Sequence, residues 1–401
     1  MNKYRPFLFS IFLLLLTSYL LKGQSLKQAS ASSMGFDLTR LQRVDQVIQQ
    51  AIRDSTIPGA TILVARHNKV VYRKAYGYRE LIPKKLRMTM DTDFDLASLT
   101  KPIATATSAM ILIDRGKLRL LDRVSDFIPG FEPWKDDSTH KTKPIRIIHL
   151  FTHTSGLPPY APVKKLEKKY GSPQPDSLIR YISHVKRQHA PGTYFKYSCL
   201  NFITLQRVIE TISGQSLQDF SHQNIFAPLG MTHTTYKPGK NLIRNCAATE
   251  MQADGHVLLG RVHDPLARIM MGCISGNAGL FSNADDMAIF SAMMLNKGIY
   301  HGVRILSPAA VEAMTRIPRG YEKFGRGLGW DLDSDYSSNQ GDLFSDQTYG
   351  HTGYTGTSMM IDPRTEVVVI LLANRVHPHD RGSVVRLRSY VANIVAGAIM
   401  K

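Results

Sequence analysis

Ser98 and Lys101 stand at i and i+3 in Ser98-Leu99-Thr100-Lys101. If a helix begins there, the hydroxyl and the amine project from one face of its first turn. The lysine can then take the proton of an attacking serine, provided burial or neighbouring cations lower its pKa. Pro102 is tolerated within that first turn, where backbone N–H groups have no intrahelical partner. The same spacing recurs at Ser138 to Lys141 and at Ser183 to Lys186, which read as solvated surface pairs. Only Ser98 follows a candidate hairpin through Phe94-Asp95-Leu96-Ala97, and only Ser98 opens a long apolar helix through Ile103, Ala106, Met110, Ile111 and Ile113. Taken alone, Ser98 could equally be an ordinary helix cap.

Two further segments carry chemistry of the same kind. In Pro191-Gly192 through Phe202, a Pro-Gly turn presents Tyr197 just before a helix. A phenol beside cationic amines can act as a general base, and the residues alone allow either that or a packed aromatic. In Gly350-His351-Thr352-Gly353-Tyr354-Thr355-Gly356, small residues on a strand edge let a substrate lie along the backbone, with Thr352 and Gly353 as its contacts, and expose an N–H as an oxyanion donor. The same residues would also suit a plain Gly-rich turn.

The elements that must position these residues follow from periodicity. Asp37 reads as an N-cap, with Leu38, Leu41, Val44, Ile48 and Ala51 at helical spacing up to Ile57-Pro58-Gly59. Ala60 to Ala65 and Val70 to Tyr76 read as strands joined near His67-Asn68-Lys69. Helical patterns then cover Ile103 to Arg115, Ser177 to Val185, Leu200 to Ile212, Leu217 to Asn224 and Asp285 to Asn296. Strands return at Thr357 to Ile361 and Val367 to Leu372, and a helix closes the chain from Val384 to Met400. Strand material at both ends predicts an α+β fold: an antiparallel sheet flanked by the terminal helices, with a large, mostly helical inserted lobe and a cleft between the two. The expected division is an α/β lobe from 36–95 and 322–401 and a helical lobe from 96–321, preceded by a flexible lead-in over 24–35.

Composition narrows the partners. The chain of 401 residues is 43% hydrophobic and 20% charged, which excludes a disordered chain, and its formal net charge is +18. Lys3 and Arg5 precede an apolar run from Phe7 to Leu21, with Gly23 following Lys22. This pattern predicts a signal peptide over 1–23, and hence an exported protein, periplasmic or secreted, or one held at the membrane by an uncleaved signal. An exported basic protein meets envelope polymers rather than nucleic acid. Cys199, Cys246 and Cys273 are too widely spaced for a disulfide framework or a metal site, with Cys246 and Cys273 expected as buried thiols. His377 and His379 lack the cluster that a metal needs and read as loop residues, so no metal and no cofactor is expected.

The three segments, in this order, resemble the serine β-lactamase and penicillin-binding protein superfamily, specifically its class C-like branch: Ser-x-x-Lys, Tyr-x-Asn, and Lys-Thr-Gly or His-Thr-Gly. Ile57-Pro58-Gly59-Ala60, Leu150 to Leu157, Gly279 to Ser282 and Gly327 to Trp330 extend the similarity through nearly the whole mature chain. The resemblance implies the β-lactamase/transpeptidase-like fold and an acyl-enzyme route with no cofactor. Ser98 would be the nucleophile, Lys101 and Tyr197 would share the proton transfer, and the N–H groups of Ser98 and Tyr354 would form the oxyanion hole. His351 would stand in the place of the third motif's cation, with a charge that depends on pH near 6 to 7. Cys199 occupies the position of the Asn, where a thiol lacks the amide's paired donor and acceptor for orienting substrate. Gly260 to Pro265, Gly276 to Ser282, Gly350 to Ser358 and Asn374 to Pro378 are similar to exported N-acetylmuramoyl-L-alanine amidases of this fold, with Asn277 where that pattern has His and with His263-Asp264 either a turn or a cleft element. The expected activity is therefore cleavage of an amide in a peptidoglycan fragment, the bond between MurNAc and L-Ala as in an N-acetylmuramoyl-L-alanine amidase, by a monomer with possible envelope association. A β-lactamase, a D,D-peptidase, a small-ester hydrolase and a non-catalytic envelope-binding or sensor protein stand as alternatives.

Overall fold

Gly59–Arg66 forms β1 and Lys69–Glu80 forms β2 in the computed structural model of this chain, which describes residues 25–334 and 339–400. The expected signal peptide, 1–23, lies outside the described residues. His67 and Asn68 join the two strands with φ of 49° and 57°, the left-handed pair that a two-residue hairpin of matching twist requires. Leu86–Arg87 (β3), Tyr349–Thr352 (β4), Ser358–Asp362 (β5) and Val367–Ala373 (β6) complete an antiparallel sheet of order β4-β5-β6-β1-β2-β3. The N-terminal hairpin thus pairs with the C-terminal strands, Ile62 opposite Leu371 and Val64 opposite Val369.

β1 and β6 are buried along their whole length, and alternation sorts their side chains onto two cores. Ile62, Val64, Val369 and Leu371 face a core closed by helices α1 (Arg43–Arg53) and α6 (Val385–Gly397), through Val44, Ile48, Val391 and Val395. Leu63, Ala65, Ile370 and Leu372 face the other core, shared with α2 (Thr107–Asp114), α4 (Cys199–Ser213) and α5 (Ala284–Leu295). Each fully buried branched side chain contributes roughly 1.5–3 kcal/mol, so the central strands are the rigid plate on which both layers rest.

The region 96–321 is mostly helical but less regular than its periodicity suggests. It includes α3 (Val163–Tyr170), a short helix that the apolar spacing does not announce, and two small hairpins, Trp134–Lys135 with Thr142–Lys143 and Ile299–Tyr300 with Val303–Arg304. The lead-in expected to be flexible is instead pinned over 25–35. The Ala29 N–H donates to the Val70 carbonyl at 2.9 Å and the Val70 N–H to the Lys27 carbonyl at 2.9 Å, while Leu26 and Ala31 are buried. Hydrogen bonds to β2 and two small apolar anchors outweigh the freedom implied by its Ser- and Ala-rich composition.

The sheet delivers the turn after β4 to the start of the Ser98 helix. Thr355 Oγ1 donates to the Asp95 carbonyl at 2.7 Å, Thr357 Oγ1 to the Leu96 carbonyl at 3.0 Å, and the Gly353 N–H to the Thr357 carbonyl at 2.7 Å. Arg388 of α6 reaches through from the far layer, donating Nη2 to the carbonyls of Gly353 and Thr357. A Cβ on Gly353 would fall 2.1 Å from Thr357 Oγ1 and 2.4 Å from the Leu96 carbonyl. Gly353→Ala is therefore expected to cost about 1–3 kcal/mol, read as a lower denaturant midpoint; an unchanged midpoint would show that the turn gives way freely.

Candidate active site

Phe94–Asp95 pairs with Phe281–Ser282, and the chain then turns sharply at Ala97, whose φ of 46° is left-handed and strained for an alanine. The Asp95 carboxylate holds that turn, accepting from the Ala97 N–H at 2.9 Å through one oxygen and from the His263 N–H at 2.7 Å through the other. The turn presents Ser98, half-buried, at the mouth of the helical segment that opens with Lys101. Lys101 Nζ donates to Ser98 Oγ at 2.8 Å and to the Asn277 carbonyl at 2.8 Å, and lies 3.9 Å from Cys199 Sγ.

Lys101 is wholly buried. Burial pushes its amine toward the neutral form, but negative charge on the facing Cys199, Tyr197 and Asp264 side chains and the Tyr197 hydrogen bond favour the ammonium, and the net direction is upward. Resting Lys101 is thus an ammonium that clamps Ser98 Oγ rather than a free base. The Cys199 thiol is itself pushed up by burial, against the pull of Lys101, and stays protonated.

Tyr197 lies against this ammonium, its ring centroid 5.1 Å from Lys101 Nζ. His153 stacks on the ring at 4.3 Å with its plane tilted by 30°. His153 Nδ1 accepts from the Ser198 N–H at 3.1 Å and from Asn201 Nδ2 at 3.2 Å, which fixes both the imidazole and the start of α4. Ser198 caps α4, its Oγ accepting from the Leu200 N–H at 3.2 Å, so Cys199 becomes the first helical residue and its thiol turns toward Lys101.

His351 sits 6.2 Å from Tyr197, ring to ring, and is buried. Its Nδ1 donates to the Thr352 carbonyl at 2.9 Å, so Nε2 is a bare acceptor. Burial first, then Arg326 and Lys101, hold its pKa well below 6.5. This corrects the expectation of a charge titrating near 6 to 7: the third motif presents a neutral imidazole. The fixed positive charge on that side is Arg326, wholly buried, paired with Asp331 at 3.1 Å and lying 6.0 Å from the Tyr197 ring centroid.

Sequence reasoning passed over Arg326 and the role of His153. Arg326 was legible only as a lone charge in the Gly- and aromatic-rich run Phe324 to Trp330, and His153 as part of the quoted Leu150 to Leu157 turn. Of the residues singled out, Ser98, Lys101, Tyr197, Cys199 and His351 converge on one site. Thr352 and Gly353 stand on the adjoining edge, and Tyr354 is exposed at the rim, its ring 4.7 Å from the Arg375 guanidinium and its hydroxyl donating to Asp380 at 2.7 Å. Asn277 lies behind Lys101, its side chain tied to Ser275 Oγ at 2.6 Å and to Asp264 at 3.4 Å. His263-Asp264 forms a hydrogen-bonded turn that supports this layer, Asp264 accepting from the Ala267 N–H at 2.8 Å. His377 bridges the Leu81 N–H and the Thr249 carbonyl, each at 2.8 Å. Cys246 is a buried free thiol as expected, whereas Cys273 is half-buried. A clamped serine hydroxyl, a buried ammonium and a phenol within reach are the parts of an acyl-transferring nucleophile.

A Beta-lactamase family profile matches residues 44–392, and the chain belongs to that family. A Salmonella typhimurium protein with the provisional name D-alanyl-D-alanine carboxypeptidase is 34% identical over 96% of this chain and 94% of its own. Among solved structures, EstCE1, a hydrolase with promiscuous acyltransferase activity, superposes with a TM-score of 0.72 at 27% identity, covering 90% of this chain and all but 1% of its own. The octameric penicillin-binding protein homologue from Pyrococcus abyssi shares the fold at a TM-score of 0.66 and 22% identity, over 89% of this chain and 76% of its own. The chain is a serine hydrolase of the β-lactamase and penicillin-binding protein kind.

Three buried histidines contribute to its response to acid, opposed by Asp286, whose carboxyl burial raises to about 6 so that its protonation favours the folded chain as pH falls. His149 is pushed down to about 4 by burial, then by Lys143 and Arg146, and His153 and His351 are held well below 6.5 by burial, then by Arg326 and Lys101. The unfolded chain takes up these protons near pH 6.5 and the folded chain does not, so stability present above pH 6.5 is lost as pH falls toward 4. His149 alone accounts for about 3 kcal/mol across that window. In denaturant melts from pH 8 to 4, His149→Gln should lose less stability than the parent on acidification, and the His351 imidazole should keep its neutral NMR signature from pH 8 to 6. A His351 titration near 6.5 would contradict the burial argument.

Proposed function

We propose that the chain hydrolyses an amide of peptidoglycan-derived peptides through an acyl-enzyme on Ser98, acting as a D,D-carboxypeptidase. The observation that carries the reading is the 2.8 Å contact between Lys101 Nζ and Ser98 Oγ in a wholly buried setting, and the name of the Salmonella relatives supports the bond chosen. Ser98 Oγ attacks the carbonyl carbon of the penultimate D-Ala while its proton passes to the oxygen of Tyr197, which enters this step as the phenolate paired with the Lys101 ammonium. The N–H groups of Ser98 and Tyr354 receive the oxyanion. Collapse breaks the C–N bond, the leaving D-Ala amine takes the proton, and water then attacks the acyl-serine to release the shortened peptide. Thr352, at the end of edge strand β4, takes the extended substrate backbone, and Gly353 beside it leaves the approach free of a side chain.

A second reading, N-acetylmuramoyl-L-alanine amidase, uses the same machinery on a different amide and is favoured by the similarity of Gly260 to Pro265 and Gly350 to Ser358 to that group. Either substrate suits an exported protein, which is the reading of residues 3–21.

Mass spectrometry of soluble muropeptides after incubation, compared with Ser98→Ala, separates these readings. Loss of terminal D-Ala supports the carboxypeptidase, whereas free stems beginning with L-Ala transfer the assignment to the amidase. Ser98→Ala should lower kcat/KM by a factor on the order of 10⁴ or more while the protein stays folded; retained turnover would remove Ser98 as nucleophile. Cys199→Asn should leave turnover equal or higher. If the parent is silent and Cys199→Asn gains turnover, the native chain is a binding protein whose catalysis was lost at that position.

A further inference from the structure

Helix α3 reads Val163-Lys-Lys-Leu-Glu-Lys-Lys-Tyr170. At about 100° per residue, Val163, Leu166 and Tyr170 fall on one side and Lys164, Lys165, Lys168 and Lys169 on the opposite side, with Glu167 at the margin. The fold uses the helix in that orientation: Val163 and Leu166 are buried, the helix packs on the Leu266–Met270 turn, and all four lysines are exposed. Among the described residues none of the four is in an ion pair. Lys169 lies only over the ring of its neighbour Tyr170, at 4.8 Å. Lys164 with Lys168 and Lys165 with Lys169 are like-charge pairs one turn apart, which repel. The charge on this face therefore has no partner inside the described chain and is available to an anion outside it.

The N-terminal end of α3 lies near the cleft. The segment before α3 runs along the start of α4, where the Cys199 N–H donates to the Pro159 carbonyl at 2.9 Å. The Tyr160 hydroxyl donates to Asp264 at 3.0 Å, and Asp264 holds the Asn277 side chain behind Lys101. Lys164 is four residues beyond Tyr160, so its backbone lies within about 14 Å of that cleft residue.

We propose that the lysine face of α3 is a docking surface for polymeric peptidoglycan, engaging the carboxylates of neighbouring peptide stems while one stem occupies the cleft. This rests on the substrate class proposed above. Peptidoglycan fits the position because its carboxylates repeat next to the amide to be cut. An anionic bilayer is the weaker fit: the apolar side of α3 is packed inward, so the lysines alone would hold the helix at a lipid surface.

The test is co-sedimentation of the full mature protein with purified, lipid-free sacculi, at ionic strengths of about 0.1 M and about 1 M, where screening shortens from about 10 Å to about 3 Å. Binding should be strong at low salt and lost at high salt. The variant with Lys164, Lys165, Lys168 and Lys169 all changed to Gln should bind at least about tenfold more weakly, a floor below the sum that four charges contribute at an anionic surface. Its turnover of small soluble muropeptides should stay at the parent level while its release of product from sacculi falls with binding. The milder K165Q/K169Q pair, with an intermediate loss, guards against a folding artefact in the fourfold variant. Sacculus binding that ignores both salt and the lysines, or tighter capture by phosphatidylglycerol vesicles than by sacculi, overturns the proposal. Sedimentation needs no turnover, so lysine-dependent binding by a protein that cuts no muropeptide upholds the docking surface and sinks only the hydrolytic reading.

Discussion

The site depends on one charge held without water: the Lys101 ammonium, shared between Ser98 Oγ and the Asn277 carbonyl. A buried charge is costly unless hydrogen bonds replace its hydration, so each group that meets this one has to be fixed in turn. The structure does so by stitching the start of the Ser98 helix to the 276–281 segment. The Leu96 N–H donates to the Leu280 carbonyl, the Leu280 N–H to Thr100 Oγ1, and Thr105 Oγ1 to the Gly276 carbonyl. Gly276 cannot carry a side chain, since a Cβ would sit 2.1 Å from the Phe202 carbonyl of α4. Asp95, Asn277 and α4 are therefore locked together around a single nitrogen.

The same charge constrains the neighbours of Tyr197. With Lys101 and Arg326 both buried and cationic in the resting site, a third and fourth positive charge would be strongly disfavoured, and both imidazoles answer by staying neutral. Their hydrogen bonds engage Nδ1 in each ring and leave a buried Nε2 in opposite protonation states. His153 accepts at Nδ1 and so carries its proton on Nε2, while His351 donates at Nδ1 and leaves Nε2 bare. Around neutral pH the site keeps a constant charge on these four groups, and the cost appears as acid sensitivity of the fold.

Much of this was readable from residue order. The short apolar runs Ala60 to Ala65 and Val367 to Leu372, bounded by turn residues, were legible as strands, and burial on both faces of the sheet is why no polar alternation interrupts them. Ser98, Lys101, Tyr197 and His351 could be picked out because each begins or ends a recognisable element. Arg326 and His153 escaped because their roles arise from contacts across long stretches of chain, His153 to Ser198 and Arg326 to Tyr197, which no local spacing encodes. The charge state of His351 escaped for a related reason: a reference pKa belongs to a solvated ring, and burial can be assigned only after the fold has placed Arg326 behind it. Helix α3 was hidden by its short length and its lysines, which leave too few apolar positions for a period to register.

Cys199 shows how these constraints distribute the work of recognition. The thiol faces Lys101 and the Asn277 amide, but that amide is already engaged by Ser275 and Asp264 and its carbonyl by Lys101. On the α4 side of the cleft a substrate therefore meets a protonated thiol, a weak donor and a weak acceptor. Directional hydrogen bonding must come from the opposite side, where β4 is the edge of the sheet. Asp331 closes that edge at Gly350, the two residues exchanging backbone hydrogen bonds at 2.9 Å, which leaves the Thr352 end to an incoming extended chain. Under the proposed reading, the sheet edge aligns the substrate backbone and the thiol side sets only how much room its side chains have. Specificity on that side then follows from volume rather than from paired polar contacts, which is a weaker discriminator between similar acyl groups.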